Sequence, residues 1–596
     1  KSGFYIFIQN INSNMAWSAT YDPVNREPDK YKVVFMPDKA VFTRRDGNIE
    51  SQLEIAVSPE DNAEIRRISI TNHSEHIRTV ELTSYFEVVL SPPNEDAAHP
   101  AFSKLFVKTE FVKEHECLLA SRRFRKREKK PLWIVHTMAV DNGNIVGDIQ
   151  YETDRMKFIG RNRDITNPEA LEPDRPLSNS TGSVLDPVMS LRKRIRIDPG
   201  NTVHAVFAVA VAQSRKHAIE LADKYNDYSV SETVFELART RSQVENRYLG
   251  LKASDTEFYL ELLPFILYSN SLKREYAGYI TENTCSQADL WPFGISGDCP
   301  IILVEVNESE DMDLVYWALK GHEYWRMKGL IIDLVFLINK KEGYSQPLSD
   351  QVRNAITASH ARELMDKCGG VYIRNSAVMD SDKIALFYTA ARLVVKDSID
   401  SLKNSILKST YANSNGKLAR TSEKPEIDQR IIVHYPHPER KLHFDNGLGG
   451  FSPDGREYVI RIGEDRRTPA PWSNIISGRK FGFLVTESGG GYTWANNSRE
   501  YKLTPWANDP VSDYPGEVFY IKDNEEGCMW SITPMPSGDK EPYTVRHGLG
   551  YTVFEHMSYG LEQSLTMFVP VESTIKVCII SLKNLTGKKR DLSVTY

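Results

Sequence analysis

Along the first third of the chain, apolar residues recur at every second position in short runs, the period of a half-buried strand. Leu53, Ile55 and Val57 alternate with Gln52, Glu54 and Ala56, and Ile68 and Ile70 alternate with polar partners. Val80–Val89 predicts a strand with Leu82 and Ser84 on one face. Arg194–Ala212 predicts a hairpin, in which the turn Asp198-Pro199-Gly200-Asn201 leads into a run alternating Val203, Ala205, Phe207, Val209 and Val211. Pro presets the first φ of that turn and Gly supplies a positive one. Many short strands at this spacing predict a sandwich or barrel.

Near His217 the period becomes helical. Ser229-Val230-Ser231-Glu232 has the form of a capping box opening a helix to Leu249, and Ser254-Asp255-Thr256-Glu257 opens another that Pro264 interrupts. From Pro300 strand and helix alternate. Ile301–Val306, Leu330–Ile338 and Gly370–Arg374 predict strands. Asp311–Met327, with Leu314, Trp317, Ala318 and Trp325 for a buried face, predicts a helix, as do Ser349–Ser359 and Lys383–Lys396. This is the pattern of a small α/β layer with parallel crossovers. Gly294-Ile295-Ser296-Gly297-Asp298 precedes a strand instead of following one, so it is not a phosphate loop. Tyr411–Arg430 has linker composition.

Phe444–Asp523 is dense in Gly, Trp, Tyr, Asn, Asp and Arg. Such side chains can pair with sugar hydroxyls and stack on a pyranose, but they also serve the turns and core of a β-sandwich. Part of this stretch introduces an internal repeat. Phe4-Tyr5-Ile6 recurs as Phe519-Tyr520-Ile521, and Met15-Ala16-Trp17-Ser18-Ala19-Thr20 as Cys528-Met529-Trp530-Ser531-Ile532-Thr533. Val41-Phe42 matches Val553-Phe554. Leu53, Ile55 and Val57 match Leu565, Met567 and Val569, and Ile68–Asn72 matches Ile580–Asn584. Copy one then lacks a counterpart of Phe444–Tyr514, and copy two ends near the counterpart of Ser84. The chain is therefore expected to be an internal piece of a longer polypeptide.

Composition narrows the function. Hydrophobic content of 41% and charged content of 26% are those of a globular protein, and 596 residues predict several domains. A net charge of −6 argues against nucleic acid as the partner. The basic run Arg122–Lys130 sits between strand-like segments and is read as a solvated hairpin tip. Cys117, Cys285, Cys299, Cys368, Cys528 and Cys578 show no paired spacing, which predicts buried thiols in a reducing compartment, with neither a disulfide framework nor a zinc site. His434, His437 and His443 share a Pro-containing loop without ligand spacing, and no metal is expected there. No apolar run is long enough to span a bilayer, and the chain carries no signal-peptide pattern.

The runs Ala98–Phe111, Gln150–Arg161, Gly294–Val306 and His322–Val335 resemble the phosphorylase half of bacterial cyclic β-1,2-glucan synthases. So do FDNGLGGFSPDGREYVI, TPAPWSNII, ESGGGYTWANNSRE, LTPWANDPVSDYPGE and VRHGLGYTVFEH. The resemblance implies a mainly β fold with an α/β insert. Two truncated β-supersandwiches occupy residues 1–215 and 441–596, joined by a helical connector (216–299), an α/β domain (300–410) and a linker (411–440). It further implies a catalytic (α/α)6 barrel downstream, outside this chain, and a bacterial inner-membrane parent whose cytoplasmic portion includes this chain. The implied reaction is inverting phosphorolysis with inorganic phosphate as co-substrate, and this chain itself takes no cofactor. The implied partners are β-1,2-glucan, the downstream barrel and a homodimer mate, with no nucleic acid.

Because the resemblance places the chemistry in the barrel, no catalytic residue is assigned here. Asp454, Glu457, Asp509 and Asp513 are read as turn and hydrogen-bonding residues. The candidate glucan-facing loop is Gly489–Arg499, with Tyr492, Trp494, Asn497 and Arg499, and with Asn508 and Asp509 beyond it. The alternative for this loop puts Trp494 in the core and Arg499 in an ion pair with Glu500 or Asp509. A stand-alone 1,2-β-oligoglucan phosphorylase and a non-catalytic carbohydrate-binding module remain as alternatives for the whole.

Overall fold

The computed structural model describes residues 3–123, 132–141, 143–339, 347–415, 441–463 and 466–596. The described residues divide between two compact units, one lying within Lys1–Val33, Val41–Val234 and Thr421–Tyr596, the other within Val34–Ala40 and Phe235–Arg420.

The first unit is mainly β. In its N-terminal sandwich one sheet has the order Asn144–Asp154, Pro187–Ile197, Arg78–Glu87, Tyr5–Asn10, Met15–Ser18. The facing sheet has the order Lys30–Phe35, Ala40–Asp46, Ile49–Val57, Ala63–Asn72, Thr202–Ala212, Trp133–Asp141, Cys117–Arg122, Val107–Val112. Ile8, Trp17, Leu53, Ile68, Leu82, Ile195 and Phe207 fill the space between the sheets. Cys117–Arg122 pairs antiparallel with Trp133–Asp141 as the hairpin reading of the basic run requires, although most of that run lies outside the described residues.

Three strand-level expectations change. The Asp198–Asn201 turn forms, with Gly200 at φ +72, but it does not close a hairpin. Pro187–Ile197 pairs with Arg78–Glu87, and Thr202–Ala212 pairs with Ala63–Asn72 and Trp133–Asp141. The turn is an arch that carries the chain from one sheet to the other, so Ile195, Ile197, Val203 and Ala205 meet across the core. Local alternation fixes which face is apolar but not which strand satisfies the backbone. Secondly, Val57 is the last residue of its strand and is 64% exposed, whereas Ala56 is buried, as is Glu54, which pairs with Arg67 at 2.6 Å.

Thirdly, the repeat is real but its first segment slips by two residues. Phe7 pairs with Ser18 and Ile8 with Trp17, as Tyr520 pairs with Ser531 and Ile521 with Trp530. Ile521 is therefore the counterpart of Ile8, not Ile6. An even slip keeps every side chain on its own face, which is why the apolar pattern tolerated the misalignment. Elsewhere the copies agree. Leu53↔Ile68 is matched by Leu565↔Ile580, and Ser18 Oγ donates to the Thr20 carbonyl as Ser531 Oγ donates to that of Thr533.

The second copy has the sheet order Gly449–Phe451, Glu457–Ile462, Tyr543–Gly548, Tyr551–Ser558, Leu561–Phe568, Val577–Asn584. Two three-stranded sheets accompany it: Ser473–Ser477, Phe481–Thr486, Gly491–Ala495, and Met529–Ser531, Tyr520–Asp523, Leu592–Thr595. Trp530 is buried at the centre and donates from Nε1 to Gln563 Oε1 at 2.9 Å.

The second unit holds a parallel sheet in the order Val371–Asn375, Asp333–Ile338, Ile301–Val306, Ala391–Val395. Leu314, Ala318 and Trp325 are buried on Met312–Met327 as expected, with Trp317 packed beside them. The expected helix Lys383–Lys396 is instead a helix Ser381–Ala390 followed by the fourth strand, since Leu393, Val394 and Val395 pair with Ile302, Leu303 and Val304. The helix ending at Leu249 begins at Tyr228, with Ser229 N–H donating to Asp227 Oδ1. Ser231, expected in a capping box, is buried inside it. The break at Pro264 occurs between Ala253–Glu261 and Leu263–Leu267. The expected linker is helical up to Asn415, and its remainder, with His434 and His437, lies outside the described residues.

Candidate functional site

The loop Gly489–Arg499 is a hairpin. Phe481–Thr486 pairs with Gly491–Ala495, and the chain returns at Tyr501–Leu503, where Leu503 N–H donates to the Thr493 carbonyl at 2.9 Å. Gly490 takes its place because a Cβ there would lie 2.2 Å from Asp513 Oδ1, and Cβ atoms on its two glycine neighbours would meet Thr533 and the Leu484 carbonyl. The close backbone approach that these glycines permit is made by the protein's own chain.

Tyr492 is buried and stacks on Trp506 with centroids 4.7 Å apart, and its hydroxyl donates to the Ser498 carbonyl at 3.1 Å. Trp494 lies half-buried, 5.3 Å from the Tyr492 ring. Lys502 Nζ sits 5.9 Å and 5.8 Å from the centres of Tyr492 and Trp506, and Tyr501 is 60% exposed. Asn497 Oδ1 accepts from the N–H groups of Arg499 and Glu500, fixing the exposed tip. Arg499 Nε is 3.5 Å from Glu500 at the surface. The hairpin therefore offers the half-buried Trp494 and Trp506, the exposed Tyr501 and the cations Lys502 and Arg499, while Tyr492 supports the rings from beneath. Tyr501, Lys502 and Trp506 were missed from the sequence because the return strand could not be told from loop.

Asn508 and Asp509 belong to a different structure. Asn508, at φ +47, places Nδ2 3.5 Å from His99 Nδ1. Asp509 receives both terminal nitrogens of Arg155, Nη1 at 2.6 Å and Nη2 at 2.8 Å. Arg155 also reaches Glu87 and Asp186 at 3.0 Å each, and Lys104 reaches Asp186 at 2.7 Å. Burial pushes the Asp509 carboxyl up, but the Arg155 hydrogen bonds and charge outweigh it and hold the group at about 2.

Six residues further on, Arg161 Nη2 lies 2.8 Å from Glu487 and 3.0 Å from Asp513. Glu487 accepts from the Thr468 hydroxyl and, at 2.7 Å, from Trp472 N–H. Asp513 accepts from Thr486 and Ser488 hydroxyls at 2.8 Å and 2.5 Å. Val511 packs between the pairs with Phe7, Tyr85 and Phe158. Two buried charge clusters thus seam the two sandwich copies together. Arg155 and Arg161 come from the short helix Arg155–Ile159 and its Gly160 exit, started by Asp154 accepting from Met156 N–H.

Asp454 accepts from Ser452 and Arg456 within its turn, and Glu457 pairs with Arg546 at 2.6 Å and accepts from Tyr551 at 2.8 Å. Asp454 and Glu457 are thus held by turn and cross-strand partners, whereas Asp509 and Asp513 are held by the seam arginines. His443 forms a bridge with Phe451 and is exposed.

Five of the nine motif runs meet at this seam. Ala98–Phe111 supplies His99 and Lys104, Gln150–Arg161 supplies both arginines, and TPAPWSNII, ESGGGYTWANNSRE and LTPWANDPVSDYPGE supply their partners. A profile of the glycosyl hydrolase 94 supersandwich domain matches residues 1–228 and 456–596, the two copies that the seam joins. This chain belongs to that family. It is 31% identical over 605 aligned residues to the cyclic beta-(1,2)-glucan synthase NdvB of Rhizobium meliloti (strain 1021), covering 100% of this chain and 21% of that protein. The N,N'-diacetylchitobiose phosphorylase of Vibrio proteolyticus is 32% identical over 24% of this chain and 18% of its own length. The 3-O-beta-D-glucopyranosyl-beta-D-glucuronide phosphorylase of Paenibacillus borealis is 31% identical over 26% and 18%. The chain thus spans about a fifth of the length of these relatives. Among the described residues no helix is long and apolar enough to cross a membrane.

Proposed function

We propose that this supersandwich pair is the scaffold and glucan-facing region of a β-1,2-glucan-processing protein that works by phosphorolysis. The similarity to a cyclic β-1,2-glucan synthase along the whole chain carries this reading. In the proposed reaction a carboxylic acid protonates the glycosidic oxygen while phosphate attacks the anomeric carbon from the opposite face, releasing α-glucose 1-phosphate. The acid and the phosphate site belong to an (α/α)6 barrel in the same polypeptide, a cytoplasmic part of an inner-membrane protein, and no residue of this chain has a catalytic role. The two sandwiches, locked by Arg155 and Arg161, hold the Trp494–Trp506 hairpin as a rigid platform, with ring faces to stack on glucose units and Lys502 and Arg499 as donors.

Calorimetry of this chain with linear β-1,2-glucan tests the platform. Trp494→Ala and Tyr501→Ala should each weaken binding by roughly tenfold, about 1.4 kcal/mol, with the fold retained. Unchanged affinity in both variants removes the hairpin from glucan recognition. The assignment of chemistry is tested separately by phosphate-dependent release of glucose 1-phosphate. The chain alone should release none, and a polypeptide extended to the length of its synthase relative should be active. Release by this chain alone would place the acid within it.

A further inference from the structure

Two of the motif runs, Gly294–Val306 and His322–Val335, lie in the α/β unit. Each contributes to one cluster. Cys299 precedes the strand Ile301–Val306, Asp333 is the first residue of its neighbour Asp333–Ile338, and Cys368 lies in the loop entering the next strand, Val371–Asn375. Parallel strands bring their entry loops to one edge of the sheet, so residues far apart in sequence become neighbours there. The Cys299 and Cys368 sulfurs, 69 residues apart in the chain, are 3.6 Å from each other. With a carboxylate oxygen of Asp333 they lie within 4.8 Å of one another.

Three features mark this cluster as more than a chance contact of thiols. Asp333 is wholly buried. Its Oδ1 accepts from Gly369 N–H at 2.7 Å, but its Oδ2 has no hydrogen-bond partner. A buried carboxylate oxygen left without a donor is costly unless a cation meets it. The sulfur spacing is the second feature. A disulfide holds its sulfurs at about 2.0 Å, whereas two thiolates about 2.3 Å from a tetrahedral zinc lie roughly 3.8 Å apart. Thirdly, the ligand loops are clamped. His322 is buried, and its Nε2 lies 3.0 Å from the Ile332 carbonyl and 3.1 Å from the Gly369 carbonyl, so one ring N–H ties together the residues beside Asp333 and Cys368.

We propose that Cys299, Asp333 and Cys368 form a binding site for a zinc-like divalent cation, with two thiolates and the Asp333 carboxylate as ligands. Cys368 is exposed, so the fourth position of a tetrahedral ion faces solvent and is taken by water. On binding, both thiol protons pass to solvent and two S–metal bonds form with no change of oxidation state. The site lies at the strand entry edge, away from the exit edge where α/β sheets bind substrates. The ion pins three of the four strands in register and has no part in glucan chemistry.

The test uses the whole chain, purified under reducing conditions and loaded with cobalt(II) and then zinc(II). One equivalent of cobalt should give a sulfur-to-cobalt charge-transfer band that zinc displaces, and zinc should protect Cys368 and Cys299 from alkylation while leaving Cys528 unprotected. Cys299→Ser and Cys368→Ser should abolish the band. Asp333→Asn should weaken zinc binding by more than about 100-fold, beyond the loss typical of a residue that only orients a ligand. Absence of the band in the folded unmutated chain, its survival in both cysteine variants, or equal alkylation with and without zinc would overturn the site. So would a Cys299–Cys368 disulfide that forms in preference to metal binding.

Discussion

Arg161 has 6% of its side chain exposed and lies between two carboxylates with 1% and 9% exposed. Truncating one member of such a cluster leaves the others charged and unmatched in a dry site, so the loss exceeds the net worth of the pair. Arg161→Met should therefore lower stability by roughly 3–5 kcal/mol in urea denaturation. Replacing Arg161, Glu487 and Asp513 together by apolar residues should recover much of that loss. His136 gives the fold a pH dependence. It is fully buried, with Nε2 2.7 Å from Ser84 Oγ and Nδ1 2.9 Å from the Ala208 carbonyl. Burial lowers its pKa from 6.5 to about 4. A depressed histidine is neutral in the fold and takes up a proton on unfolding, so its contribution is fully present above pH 6.5. That contribution is lost as the pH falls towards 4, by about 3 kcal/mol in all. Thermal melts across this window should flatten in His136→Gln if the group is responsible. Neither residue could be singled out from the sequence. Arg161's partners lie 326 and 352 positions away, and an alternating strand gives no sign that a histidine on it will be buried.

At the scale of elements, the Asp198–Asn201 arch shows what a local pattern can and cannot specify. The turn chemistry was legible: Gly200 has a positive φ and nothing within 4 Å of where its Cβ would stand. Gly200→Ala should thus act through the backbone alone and cost about 1 kcal/mol, measured by the denaturation midpoint at constant slope. The pairing of the flanking strands was not legible, because a strand's hydrogen-bonding edge carries no residue code and both sheets present the same alternation. The fourth strand of the α/β unit was hidden for a related reason. Ala391–Val395 directly follows the helix Ser381–Ala390, so short apolar runs of both periods merge into one. Trp530 is buried like Trp17, its counterpart in the repeat. Trp530→Ala should cost about 3–5 kcal/mol through a central cavity and one lost hydrogen bond, read by the same denaturation curve.

In the sandwich unit taken whole, buried ion pairs tie the two copies together, and they should open as one cooperative body. Loss of the Arg155–Asp509 pair should lower amide-exchange protection on both sides, in Arg78–Glu87 and in Tyr520–Asp523, and not only beside the substitution. Exchange confined to one copy would show that the copies open independently. The internal repeat was read from sequence because two strand sets built for the same inward positions keep the same apolar spacing. Family membership was legible in long contiguous runs, whose meeting point was not.

The sequence alone determined the β periodicity, the repeated sandwich, the parallel α/β order and the aromatic character of the Gly489–Arg499 hairpin. All of these follow from spacing along a few consecutive residues, where side-chain direction repeats with the backbone. Only the tertiary structure decided that Asp509 and Asp513 belong to a charged seam, that Tyr492 backs Trp506, and that Cys299 and Cys368 meet beside Asp333. Those contacts join residues whose separation in the chain sets no limit on their separation in space. They are chosen by sheet order and by the cost of leaving buried charge unmatched.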